Sequence, residues 1–134
     1  MLRKDFLQRQ FEEFGKVLAS LLSLKKSKAW EEFEKQAEEA SKKFTTFELK
    51  ELESHTASDF KNKVINTPNL SYDQKKILAS LLFEKMKVYE ELVMQEKYLS
   101  VREKSLILYD HLANELMQSE YDLEVNYRLK FLKG

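Results

Sequence analysis

The chain has 134 residues, enough for one domain, and its 43% hydrophobic and 34% charged content fits a folded globule rather than a disordered tail. Two glycines and one proline are too few for the many tight turns of a β-sandwich or barrel, so the chain reads as all-α. Twenty-three basic side chains balance twenty-three acidic ones, leaving no basic excess for nucleic acid, and the lack of cysteine removes disulfides, thiolate nucleophiles and Cys-ligated zinc.

The first predicted helix spans about 4–23. Leu7, Phe11, Phe14, Leu18 and Leu21 recur at steps of four and three, which keeps them on one stripe. Gly15 sits in its middle, where a close helix crossing would account for it. The cluster Lys25, Lys26 and Lys28 reads as a solvated connection. A second helix is expected over 27–43, N-capped by Ser27 and carrying Trp30, Phe33, Ala37, Ala40 and Phe44 on its apolar face. Thr45 with Glu48 reads as a capping box, and Thr56 with Asp59 as a weaker start of the same kind. These signals predict short helices near 46–54 and 57–66, or one bent helix.

Asn66-Thr67-Pro68-Asn69 breaks the chain, since proline disfavours helix in the residue before it. Ser71 with Gln74 is the clearest capping box and opens a long helix over 72–99. Its face is Leu78, Leu81, Leu82, Met86, Tyr89, Leu92 and Val93. A further helix follows over 101–118, with its junction to the previous one near 97–101. From Tyr121 to Phe131 apolar and polar residues alternate, a strand signal. A lone strand would leave backbone groups unpaired in a helical monomer, so this stretch is expected to be helix. The heptapeptides 16–22 and 76–82 match closely, but the similarity ends on both sides, as chance overlap of common helix formers would.

Few residue patterns in the chain point to chemistry. Gly15 and Gly134 cannot build a phosphate loop. His55 precedes Asp59, and His111 precedes Glu115, by one helical turn; both read as surface hydrogen-bonded pairs rather than metal ligands. No catalytic, cofactor or metal site is expected. The late tyrosines are more informative, because Tyr and Arg are favoured at binding hot spots. Tyr121, Tyr127 and Arg128 are the candidate partner-binding residues.

Leu82 and Tyr89, followed by Ser105, Tyr109 and Leu112, have the large-then-small packing order that resembles tetratricopeptide repeats. The opening Met1-x-Arg3-x-Asp5-Phe6-x-x-Arg9-Gln10, with Phe14-Gly15-Lys16 and Leu18-Ala19-x-Leu21-Leu22, resembles an uncharacterised family of small bacterial tetratricopeptide-like proteins. That resemblance implies a helical array with a binding role and supplies no catalytic residues.

The sequence thus points to a single all-helical domain over 1–134, with five to six antiparallel helices in a tetratricopeptide-like right-handed array or bundle. The expected function is a cytoplasmic protein–protein interaction or adaptor module with a protein partner. Neither nucleic acid nor membrane is expected as a partner, since no apolar run approaches the roughly 20 residues of a spanning helix. The alternative is a homodimeric structural or assembly protein with its C-terminal segment as interface.

Overall fold

The structure is a computed structural model that describes residues 2–67, 70–115 and 122–134, with side chains from Arg9 onward. Seven helical segments stand among the described residues: α1 (Leu2–Lys26), α2 (Trp30–Thr45), α3 (Leu49–Ser54), α4 (Ala57–Val64), α5 (Tyr72–Glu91), α6 (Gln95–Glu115) and α7 (Leu123–Lys133). The all-α class expected from composition holds. The segments number seven rather than five to six because the third region divides at His55–Thr56 and the C-terminal stretch is helical.

α5 is the centre of the molecule, packed against α1, α2 and α6. It therefore buries apolar residues nearly all round: Ile77, Leu78, Leu81, Leu82, Phe83, Met86 and Val88. A helix apolar on every side belongs inside a core. α1 and α2 form a hairpin: Ser20 donates to Gln36 at 2.9 Å and Lys43 lies 3.4 Å from Glu13. Rising numbers on α1 meet falling numbers on α2, so the two run antiparallel. The same test makes α5–α6 and α6–α7 antiparallel, with Lys75 meeting Glu115 and Phe83 meeting Tyr109 in the first pair, and Tyr109 meeting Arg128 and Arg102 meeting the Leu132 carbonyl in the second. Phe14 closes the α1–α2 seam edge-on to Phe44, ring centroids 5.7 Å apart.

Helix starts follow the capping signals at two of the three boxes. Ser71 and Gln74 bond reciprocally at 3.2 and 3.0 Å, and Thr56 accepts from the Asp59 N–H at 3.1 Å. Thr45 does not cap α3. Its hydroxyl donates to Ser41 O at 2.7 Å and accepts from the Phe47 N–H, so it closes the end of α2 instead. Ser27 likewise turns back, donating to Leu24 O at 3.2 Å, and α2 begins after Ala29 without a side-chain cap.

Helix stops depart further from expectation. The long helix ends at Glu91, and the reversal lies at Leu92–Met94 rather than near 97–101. There the Met94 N–H bonds Tyr89 O at 2.9 Å and the Val93 N–H bonds Glu90 O at 3.1 Å. This is the paired closure of a Schellman motif, with Val93 at the left-handed position and φ of 57°. Lys28 does the same after α1, and Thr46 takes a left-handed φ after α2. A chain so poor in glycine ends three helices on residues that strain there. Val93 is 83% exposed and so lies outside the apolar face assigned to it. Val93→Gly should raise stability by about 1 kcal/mol, since left-handed backbone costs an L-residue roughly that much and no buried contact is lost. Urea unfolding checks this.

Gly15 proves incidental. A Cβ built there meets nothing within 4 Å, so no close crossing requires it. Gly15→Ala should add about 1 kcal/mol and raise Tm by about 4 °C, readable by thermal circular dichroism.

The C-terminal stretch is helical over Leu123–Lys133, opened by Asp122, which accepts from the Val125 N–H at 3.1 Å. Its alternating pattern is two interleaved stripes four residues apart. Val125 and Leu129 face inward with Leu132, while Leu123, Tyr127 and Phe131 face out. No helix among the described residues is long and apolar enough to cross a membrane.

Candidate functional site

The α5–α6 reversal leaves a gap between its own two helices and the pair α2–α3. The result is a pocket of about 680 Å³, within the usual range for binding sites. Trp30, from the first turn of α2, and Val88, Leu92, Met94 and Val101 give it apolar walls. Glu34, Lys50, Glu96 and Lys97 also line it.

Its floor is a buried charged cluster. Lys85 is only 1% exposed. Its ammonium donates to Glu53 of α3 and to Glu34 of α2 at 2.9 Å. The Tyr89 hydroxyl donates to the other oxygen of Glu53. Lys104 of α6 reaches in from below, donating to the backbone carbonyl of Glu53 at 2.7 Å and to Ser100 at 2.9 Å. It thereby satisfies a carbonyl in the last turn of α3, which has no intrahelical partner. Three elements, α3, α5 and α6, meet on Glu53, and α2 joins them through Lys85.

The electrostatics keep the Lys85 and Tyr89 donors protonated. Burial works against the Lys85 ammonium, but the charge and hydrogen bond of Glu53, with Glu34, outweigh it and hold the group above its ordinary value. Burial and the bond to Glu53 also push the Tyr89 hydroxyl up. Neither a neutral lysine nor a phenolate is accessible near neutral pH, so neither group is poised as nucleophile or base. Lys104 is lowered by burial, against the opposing charges of Glu53 and Glu103. What the pocket offers is an apolar cleft on a hydrogen-bonded polar base.

The candidate partner-binding residues lie elsewhere, on and before α7. Tyr121 falls outside the described residues. Tyr127 is 73% exposed. Arg128 turns inward: its guanidinium donates to Tyr109 at 2.7 Å and Ser80 at 3.2 Å, and stacks 4.6 Å from the centre of the Phe83 ring. It braces α7 against α5 and α6. Lys25, read as solvated, instead reaches the buried Glu84 at 2.5 Å and ties α1 to α5.

The histidines separate. His55 sits at the break between α3 and α4, so it and Asp59 do not share a helix. His111 lies 3.7 Å from Glu115, but its closer partner is the buried Lys75, 3.1 Å away. Among the described residues no group of three metal-ligating side chains gathers. Burial and the neighbouring Lys75 charge lower the His111 pKa, with Glu115 and Asp110 opposing and Lys61 adding to the fall. The folded protein thus binds this proton less readily than the unfolded chain. His111 stabilises fully above the unfolded value near 6.5, and this contribution is lost as pH falls through the lower folded value. Urea midpoints should drop from pH 7.5 to 5.5, and His111→Gln should flatten that slope.

The geometry defines an all-helical protein, among its described residues, with an apolar cleft of about 680 Å³ between α2, α3, α5 and α6. No family model, no curated protein and no solved structure matches the chain.

Proposed function

We propose that the protein is a non-catalytic helical interaction module that receives an apolar segment of a partner protein in the pocket between α2, α3, α5 and α6. The observation that carries this is the pairing of apolar walls with a floor whose charges already satisfy one another. Such a floor asks nothing of a ligand's polar groups, while Trp30, Val88, Leu92 and Met94 reward burial of an apolar side chain. The rim carries charges of both signs at Lys50, Glu96 and Lys97, which suits the mixed surface of a protein better than a strongly charged metabolite.

A tetratricopeptide-like right-handed array goes with this reading. Its support is the order of packing, with the α1–α2 hairpin laid on α5, the α5–α6 hairpin next, and α7 laid against both α6 and α5.

Trp30 is the sole tryptophan, so its emission reports directly on the pocket. Leu92→Arg places a charge on the rim without emptying the core. A partner isolated with the wild type should shift Trp30 emission saturably and bind Leu92→Arg at least tenfold more weakly. Equal binding to both, with no change in emission, would exclude the pocket.

A further inference from the structure

We infer that α7 is the contact face of a symmetric homodimer, distinct from the pocket, in which two copies lie stripe on stripe. Leu123, Tyr127 and Phe131 stand four residues apart on the outer face of α7 and are 76%, 73% and 55% exposed. No other helix among the described residues shows three large exposed apolar side chains at this spacing. The face is held ready. Arg128 locks the helix down on Tyr109 and Ser80, and Phe131 rests edge-on against Phe83 with centroids 5.8 Å apart. A preformed surface loses little freedom on binding.

The flanking charges specify the occupant as a second copy of this chain. Glu124 lies three residues before Tyr127 and Lys130 three residues after, and both are exposed. At 100° per residue these fall on opposite flanks of the stripe, level with Tyr127. A two-fold axis along the stripe carries each Glu124 over to the partner's flank bearing Lys130. The three apolar residues then meet their own equivalents. Alignment of two such four-residue ridges gives the common helix crossing of about 50°. The reversed arrangement would set Glu124 against Glu124 and Lys130 against Lys130. The zero net charge of the chain adds no long-range repulsion between copies.

Three side chains on one short helix make a contact smaller than the roughly 800 Å² per partner of a standard interface, so the association is weak, with a dissociation constant on the order of 100 µM. Sedimentation equilibrium from about 10 µM to 1 mM tests it on the full chain, with circular dichroism confirming that each variant folds. The wild type should dimerise. Tyr127→Glu should weaken this at least tenfold, and Glu124→Lys or Lys130→Glu alone about fivefold. The double exchange Glu124→Lys with Lys130→Glu should restore it, as should an equimolar mixture of the two single variants. A wild type monomeric at 1 mM would overturn the inference. A dimer indifferent to Tyr127→Glu, or charge variants that neither weaken nor restore, would do the same.

Discussion

Glu53→Gln should cost about 3 kcal/mol of folding stability, a large part of the 5–15 kcal/mol that a domain of this size possesses. The loss comes from what is left behind. Lys85 would keep its ammonium in the core with only the half-exposed Glu34 charge to answer it, and the single amide oxygen could accept from Lys85 or from Tyr89 where Glu53 serves each with its own oxygen. The urea midpoint should fall by about 2 M. Removing Glu53, Lys85 and Tyr89 together with Glu53→Leu, Lys85→Met and Tyr89→Phe should recover most of the loss, because no Lys85 ammonium then stays buried beside a neutral amide, while Lys104 keeps its bonds to the residue-53 backbone carbonyl and Ser100. That contrast separates a costly orphan from an intrinsically strong ion pair. If the single and triple variants unfold at the same midpoint, the floor does not hold the helices in the way described.

Arg128→Lys should be almost as damaging to α7 as Arg128→Ala, at about 2 kcal/mol each. The guanidinium bridges Ser80 and Tyr109 while lying flat near Phe83, a planar task that an ammonium cannot perform. Hydrogen bonds to a charged donor contribute about 1.5–3 kcal/mol, and the ring contact up to about 1 more. Loss should be local. Amide exchange should quicken in Leu123–Lys133 while α5 keeps its protection, since α7 rests only on α6 and one face of α5, whereas α5 is also held by α1 and α2. Rescue by lysine would mean that charge alone, not shape, secures the helix.

Much of the fold was legible in the residues, because spacing reports burial directly. Phe14 and Leu21 in α1, and Phe33, Ala37, Ala40 and Phe44 in α2, all lie in the core as their periodicity requires. The boxes at Thr56 and Ser71 opened helices where local chemistry said they would. The stops were not legible. Lys28, Thr46 and Val93 carry no mark of a left-handed residue, and packing imposes that conformation on them.

The pocket was hidden for a different reason. Its walls come from four elements spread over some seventy residues, and no local pattern joins Trp30 to Val101. Glu53 and Lys85 looked like two charges among many. One signal was available: Glu84 and Lys85 interrupt an apolar run from Ile77 to Tyr89, and charges embedded in such a run must find partners. The inward turn of Arg128 had no comparable sign, since its partners Ser80 and Tyr109 are far away in the chain.

The three-residue reversal at Leu92–Met94 has a consequence outside the native state. Nothing in its own side chains prefers to bend, so the corner exists only while α5 and α6 grip each other. Trifluoroethanol weakens that grip and favours coiled backbone. The span 72–115 would then straighten into one continuous rod roughly 65 Å long, and far-UV ellipticity would exceed that of the folded protein.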